Sequence, residues 1–197
     1  VNVDWAGVTY VGHASTLGKD GFYMLGQSLQ SSTGAYDYSV LRGNRGSGWY
    51  LHASKTNLTF TGLIACNGAQ VNAFNTGFET STSPNNKTFV DCFAVKQNRV
   101  GFDVQQIYNA TYTRCYAISC NTAGMSRAAW WLNTSGKITF TDCEAQACRT
   151  RAIDLGGITE TVINNFLSGK KGNKKADIAC TKDTNNTVLI SNCNIGS

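Results

Sequence analysis

The chain has 197 residues, of which 42% are hydrophobic, so it carries enough apolar side chains for a folded core and is not a disordered tail. Its formal net charge of +5 is modest, and no apolar run approaches the roughly 18 residues that a membrane-spanning helix needs, so neither nucleic-acid binding nor membrane insertion is expected. With 20 glycines, one proline and many Asn and Thr residues, the composition favours short strands and tight turns over helices.

Segments of one form recur along the chain. In each, a bulky apolar residue stands three positions before an anchor residue, which is a cysteine in the clearest examples: TFVDCFA (88–94), TYTRCYA (111–117) and TFTDCEA (139–145). The predicted anchors, 22 to 29 residues apart with short and long intervals alternating, are His13, Leu41, Leu63, Cys92, Cys115, Cys143, Phe166 and Cys193. A repeat of this length indicates a solenoid in which each repeat is one coil.

A second predicted strand follows each anchor at a nearly constant distance. These strands end at Leu25, Leu51, Ala73, Val104, Leu132, Leu155 and Ile178. The fifth coil is longer than the others, so residues 121–126 are expected to form a protruding loop. Because alternate strand residues face a shared interior, the sequence predicts an all-β fold, a single-stranded right-handed parallel β-helix of about eight coils. A β-sandwich or a jelly roll is the alternative.

The predicted domain organisation is simple. We expect one β-helical domain over residues 1–197, with no cap at either end, because strand-like sequence begins near Val8 and a cysteine repeat reaches the last residues. Repeat arrays need capping elements at both ends. The chain is therefore expected to be a fragment of a larger protein.

The eight cysteines are interpreted as buried thiols and not as a disulfide framework. Cys92, Cys115 and Cys143 occupy one inward position of successive coils, and Cys120 and Cys148 occupy another, which is how small apolar residues fill a narrow core. There is no CxxC pair and no histidine beside a cysteine pair. No metal site and no cofactor are therefore predicted.

The repeats resemble those of the pectate-lyase-like superfamily of parallel β-helices, as seen in TFVDCFAVKQNRVGFDV, TFTDCEAQACRTRAIDL and TVINNFLSGKKGNKKADI. Within that superfamily, the abundance of Cys, Asn, Thr and aromatic residues is most similar to bacteriophage tailspikes. The resemblance implies a homotrimer in the virion tail that binds and cleaves a bacterial surface polysaccharide, an O-antigen or a capsule, with outward-facing carboxylates. It covers nearly the whole chain, but such repeats specify a coil and not a chemistry.

Two other functions stay open. A non-catalytic receptor-binding or adhesin β-helix, secreted or displayed at the cell surface, would need nothing from the carboxylates. A polysaccharide lyase or epimerase would suit the basic charge balance. However, the acidic cluster with which pectate lyases of the superfamily bind calcium does not appear in the sequence.

The candidate catalytic residues come from the outward position just before the end of each second strand, which reads Met24, Tyr50, Asn72, Asp103, Trp131, Asp154 and Asp177. Glycoside hydrolysis needs two carboxyl groups, one as general acid and the other as nucleophile or base. Asp154 and Asp177 are predicted on adjacent coils, about 5 Å apart, as in retaining enzymes. Asp103 and Asp154 are predicted two coils apart, near 10 Å, at the wide limit for inverting enzymes.

The candidate substrate-binding residues are Trp131, Tyr50 and Arg151. The two aromatic side chains would stack against sugar rings, and Arg151 would bind the substrate. The alternative interpretation is that the acids simply solvate a sheet face and pair with Lys174, Lys175 or Arg151.

Two further outward columns flank the anchors. The position before the anchor reads Asp91, Arg114, Asp142, Asn165 and Asn192, which predicts either a ladder of exposed ion pairs or a set of ligand contacts. The position after it reads Ala14, Arg42, Ile64, Phe93, Tyr116, Glu144, Leu167 and Asn194. An exposed apolar stripe of this kind indicates a trimer contact or a glycan-stacking surface.

Overall fold

The computed structural model describes residues 7–9, 22–24, 34–37, 40–42, 49–51, 58–67, 74–75, 86–105, 109–122, 128–133, 136–156, 160–168, 178–182 and 187–195. Side-chain surroundings are described for 59–67, 86–103, 109–122, 128–132, 136–155, 160–168 and 187–193. The described ranges contain 22 strands and no helix, which confirms the all-β prediction for this part of the chain.

The strands form three sheets. Sheet 1 contains β1 (Gly7–Thr9), β4 (Val40–Arg42), β7 (Ile64–Cys66), β10 (Phe93–Val95), β13 (Tyr116–Ile118), β16 (Glu144–Gln146), β19 (Leu167–Ser168) and β22 (Asn194–Ile195). Sheet 2 contains β2 (Phe22–Met24), β5 (Trp49–Leu51), β8 (Phe74–Asn75), β11 (Phe102–Gln105), β14 (Trp130–Asn133), β17 (Ile153–Gly156) and β20 (Ile178–Lys182). Sheet 3 contains β3 (Gly34–Asp37), β6 (Leu58–Thr61), β9 (Asn86–Val90), β12 (Asn109–Thr113), β15 (Lys137–Thr141), β18 (Glu160–Asn164) and β21 (Thr187–Ser191).

Strand pairing follows one rule in all three sheets. Each described pairing is parallel and joins strands that are three positions apart in chain order, for example β10 with β13 and β11 with β14. The chain therefore visits sheet 1, sheet 2 and sheet 3 in rotation. Equivalent residues of successive repeats lie one strand spacing apart, about 4.8 Å.

Left-handed residues make the turns sharp. The residue between sheet 3 and each anchor has a φ of 49° to 65°, at Gly62, Asp91, Arg114, Asp142, Asn165 and Asn192. A second series follows sheet 1 with φ between 50° and 57°, at Asn67, Lys96, Ser119 and Ala147. Side chains with a Cβ atom disfavour this conformation, although Asn and Asp tolerate it better than most. Each turn redirects the backbone so that the next residue faces the interior, which is an anchor after the first series and Gln97, Cys120 or Cys148 after the second.

Aromatic rings stack through the core. In sheet 3, Tyr112 stacks on Phe89 with ring centroids 4.9 Å apart and on Phe140 at 5.0 Å. In sheet 2, Phe102 stacks on Trp130 at 4.9 Å. The two stacks meet edge to face, with Phe102 5.6 Å from Tyr112. All five side chains are fully buried. Each aromatic pair stabilises the core by about 0.5–1.5 kcal/mol beyond its buried area.

The register confirms the predicted anchors from Leu63 onward and corrects an earlier one. Ile64 pairs with Phe93 and Phe93 with Tyr116, which aligns the anchors that precede them. Leu41, in contrast, pairs with Ala65 and does not align with Leu63, so it is not an anchor. The prediction failed because a shift of two residues keeps the same side chains inward. The predicted anchor His13 lies outside the described residues.

Candidate functional site

The predicted carboxylate column lies on the outer side of sheet 2. Asp103 of β11 pairs with Trp131 of β14, and Trp131 pairs with Asp154 of β17. The preceding residues Phe102 and Trp130 are buried in the core, so strand alternation directs Asp103 and Trp131 to the other side of the sheet. The structure therefore brings three of the predicted site residues together in adjacent strands.

The two carboxylates are separated by one strand and are almost enclosed. Two strand spacings place the backbones of Asp103 and Asp154 about 9.6 Å apart. Asp103 is 2% exposed and Asp154 is 4% exposed, whereas Trp131 is half-buried. Acidic side chains with so little exposure need hydrogen-bonding or charged partners to offset their lost hydration.

Arg151 supplies such a partner. Its Nη1 donates a hydrogen bond to Asp154 Oδ2 at 3.1 Å, in an ion pair whose side chains are 27% and 6% exposed. The pairing that the sequence offered as the structural alternative is thus present. Since a guanidinium has five N–H donors and this bond uses one, the same arginine remains able to bind a ligand oxygen.

For the other two predicted site residues, Tyr50 and Asp177, the strand register differs from the predicted one. Tyr50 lies in β5, where it pairs with Tyr23 and Asn75 and not with Met24 and Asn72. It is still in the same column as Asp103, because Asn75 pairs with that residue.

The expected neighbour of Asp154 is also replaced. Asp154 pairs with Ala179, so Asp177 does not occupy the adjacent position in the register. Asp177 itself lies outside the described residues. The pattern ADI at 176–178 resembled the preceding AIDL strand closely enough to suggest a register two residues away from the one found.

The cysteines lie in the two inward columns that the sequence predicted. The described cysteines Cys66, Cys92, Cys115, Cys120, Cys143, Cys148 and Cys193 are all free thiols. The single S–H of each anchor thiol is shared between two carbonyl groups: Cys115 Sγ lies 3.4 Å from Phe89 O and 3.5 Å from Thr113 O. Cys120 does the same with Ala94 O and Ile118 O at 3.3 and 3.8 Å. The thiols therefore fill the core and also hydrogen-bond its turns.

Gln97 shows that the hydrogen bonds matter at these positions. It occupies the place in its repeat that Cys120 and Cys148 occupy in later repeats, and it is fully buried. Its Nε2 donates to Ala65 O at 3.0 Å and to Val95 O at 3.1 Å. The same two backbone positions accept hydrogen bonds, although the donor is an amide and not a thiol.

The column before the anchors is an exposed polar ladder. Arg114 binds both carboxylate oxygens of Asp91, at 2.7 and 2.9 Å. Further along, Asn165 Nδ2 donates to Asp142 Oδ1 at 2.6 Å. The hydrogen bond and the charge of Asp91 raise the pKa of Arg114. These contacts match the ion-pair interpretation, and exposed pairs of this kind contribute little to stability.

The column after the anchors forms an apolar stripe on sheet 1. Phe93 and Tyr116 stack with centroids 4.9 Å apart and an interplanar angle of 10°. Ile64 precedes them and is half-buried, and Leu167 beyond Glu144 is 42% exposed. Because the two rings stack on each other along the column, they present mainly their edges outward. That geometry suits contact with a protein surface better than stacking of a sugar ring.

Sequence reasoning named Arg151 but missed three further basic residues in the turn from sheet 1 to sheet 2. Lys96 and Arg99 follow β10, and Arg149 and Arg151 follow β16. The first three are exposed. The sequence contained a signal for this group, because the turn after β10 and the turn after β16 have equal lengths. Aligning these two turns, however, requires the register across the longer fifth repeat, which lies between them.

No family model matches the chain, and no curated protein or solved structure shows significant similarity to it. In the part of the chain that the structure describes, no helix has the length and apolarity needed to cross a membrane. Across the same residues, His, Cys, Asp and Glu side chains nowhere form a group of three placed to hold a metal ion.

Proposed function

We propose that the chain is a right-handed parallel β-helix of about eight coils that belongs to a homotrimeric, tailspike-like protein of a virion tail. It binds a bacterial surface polysaccharide, an O-antigen or a capsule, and hydrolyses it. The rotation of the chain through three parallel sheets supports the coil architecture. The repeat resemblance supports the polysaccharide substrate, with the limit that a coil does not specify a chemistry.

The observation that carries the proposed hydrolysis is the register of Asp103, Trp131 and Asp154 across three adjacent strands. One carboxyl group protonates the departing glycosidic oxygen, and the other takes a proton from the attacking water. The backbones of the two acids lie about 9.6 Å apart, a spacing comparable with the roughly 6.5–9.5 Å between the carboxyl groups of inverting enzymes, which leaves room for that water. Trp131, between the two acids, stacks against the sugar at the cleaved bond.

The test uses the full-length parent protein and purified O-antigen or capsule from its host. Asp103→Asn and Asp154→Asn should each abolish the release of reducing ends while leaving polysaccharide binding and oligomeric state unchanged. Asp142→Asn is the matched control, since it removes an exposed carboxylate from the turn before Cys143. Normal cleavage by both site variants would remove this face from consideration.

A second candidate function is binding without cleavage. The ion pair between Arg151 and Asp154 and the 2% exposure of Asp103 favour it, because catalytic carboxyl groups must reach the glycosidic bond. In that case the wild-type parent would retain the polysaccharide on a column and never shorten it. The same incubation therefore distinguishes the hydrolase from the receptor-binding protein.

The homotrimer is supported by the apolar stripe on sheet 1. A flat apolar strip with charged residues along its edge has the anatomy of a protein interface. We expect the parent to be a trimer by light scattering. Phe93→Ser combined with Tyr116→Ser should release monomers if this stripe is the contact, because the two rings form its centre.

A further inference from the structure

Four cations lie along the turn from sheet 1 to sheet 2, and together they form what we term the basic turn strip: Lys96, Arg99, Arg149 and Arg151. Lys96 and Arg99 belong to the repeat of β10, and Arg149 and Arg151 belong to the repeat of β16. One repeat separates the two turns, so the strands that precede them, β10 and β16, are two strand spacings apart, about 9.6 Å.

The strip is accessible and partly held in place. Lys96, Arg99 and Arg149 are exposed. Arg149 Nη1 donates to the carbonyl oxygen of Thr122, in the intervening repeat, at 2.9 Å. That hydrogen bond orders the guanidinium without neutralising it, which lowers the conformational entropy lost when a ligand binds.

Acidic side chains mostly lie elsewhere. Asp91 pairs with Arg114 on the turn from sheet 3 to sheet 1, and Glu160 pairs with Lys137 at 2.8 Å in sheet 3. Within the ranges whose side chains are described, the ion pair between Arg151 and Asp154 is the one that joins the strip to an acid. The turn therefore keeps a local excess of positive charge on a chain whose net charge is +5.

We infer that the basic turn strip binds the acidic groups of an anionic polysaccharide that runs across successive repeats. This inference rests on the proposed polysaccharide function and deepens it by naming the charge of the substrate. Cations repeated along one edge match anionic groups repeated along a polymer. Arg151 connects the strip to Asp154, in the strand beside Trp131.

A nucleic acid is the less suitable polyanion for this strip. A protein that makes about 6–10 phosphate contacts neutralises that many charges, and single strands are also bound by stacking on exposed aromatic faces. Four described cations are fewer than that number. The half-buried aromatic pair Phe93 and Tyr116 is stacked on itself and lies on sheet 1.

The experiment measures binding of the full chain to three probes at low and high salt: polygalacturonate, the neutral polymer dextran and a single-stranded oligonucleotide. The test variant combines Arg99→Gln with Arg149→Gln. The matched control combines Arg114→Gln with Lys137→Gln, which removes the same charge from exposed positions outside the strip. Circular dichroism checks that both variants keep their β-structure.

We expect the wild-type chain to bind polygalacturonate in preference to dextran and to lose that binding at high salt. The strip variant should weaken it by up to about tenfold, as expected for the loss of two surface charge contacts. The control should bind like wild type.

The inference would be overturned by equal weakening in both variants, by tighter strip-dependent binding of the oligonucleotide, or by equal binding of dextran and polygalacturonate. Absence of cleavage by the parent would count against hydrolysis alone and would leave this binding result intact. Cleavage of a neutral polymer, with no effect of the strip variant, would refute the strip while supporting the proposed function.

Discussion

Cys143 lies directly beneath Cys115, so that the backbone N–H of Cys115 donates to Cys143 Sγ at 3.4 Å and the Cys143 thiol donates to Tyr112 O at 3.5 Å. Each thiol thus bridges two repeats as well as filling space. This double role explains why a small polarizable residue recurs at the anchor, where a larger apolar side chain would fill the volume but donate no hydrogen bond.

The first prediction separates these two roles. Cys115→Ala removes the sulfur and its two hydrogen bonds, and we expect it to cost about 1–3 kcal/mol of unfolding free energy. Cys115→Ser keeps a donor for Phe89 O and Thr113 O and should cost less. Urea denaturation measures both. If the alanine variant were the more stable of the two, the thiol would act as an apolar filler only.

The second prediction concerns alkaline pH. Burial raises the pKa of the Cys115, Cys120 and Cys143 thiols, and burial likewise raises the pKa of the Tyr112 phenol. Unfolded thiols ionise near about pH 8.5, whereas the folded ones stay protonated. The unfolding free energy should therefore be constant below that pH and fall above it, by up to about 1.4 kcal/mol per pH unit for each thiol.

Denaturation midpoints at pH 7, 9 and 10 test this slope. Cys143→Ser should flatten it by the contribution of one thiol. A thiol reagent at pH 8 should leave the buried cysteines of the native chain unmodified and react after unfolding. An unfolding free energy that did not change between pH 7 and pH 10 would contradict the assignment of buried, protonated thiols.

The sequence predicted register wherever a residue type marked the repeat. The cysteines and the apolar residues three positions before them aligned the repeats from Leu63 to Cys193, and with them Asp103 and Asp154. Around Leu41 and Asp177, apolar residues two positions apart offered two registers with the same inward face. Burial of the carboxylates was not predictable either, because it depends on side chains and turns from neighbouring repeats and not on strand alternation.

The third prediction uses the left-handed turns. Ala147 is exposed with a φ of 50°, a conformation in which its Cβ atom is unfavourable. Ala147→Gly should therefore stabilise the chain by about 0.5–1 kcal/mol, even after the extra backbone entropy of glycine in the unfolded state. Ala145→Gly, two residues earlier, is the control. It removes a fully buried methyl group from β16 and should destabilise. Thermal unfolding of the pair measures both signs.

The fourth prediction asks whether Asp154 is held for structure or for chemistry. Arg151→Gln removes the guanidinium from a carboxylate that is 4% exposed, and we expect a loss of about 1–3 kcal/mol, less than for a fully buried pair because Arg151 is partly exposed. Asp154→Asn in the same chain should recover much of that loss, because the buried charge that had lost its arginine is gone. Arg114→Gln, which breaks the exposed pair with Asp91, should change stability little.

The stability of these variants can be compared with their cleavage of polysaccharide. A purely structural pair predicts that Arg151→Gln with Asp154→Asn folds stably and cleaves polysaccharide at least as well as Arg151→Gln alone. A catalytic Asp154 predicts that stability returns in the double variant while cleavage by the parent protein falls below that of Arg151→Gln alone. Recovery of both stability and cleavage would exclude Asp154 from the chemistry, because an asparagine amide cannot exchange the proton that hydrolysis requires of a carboxyl group.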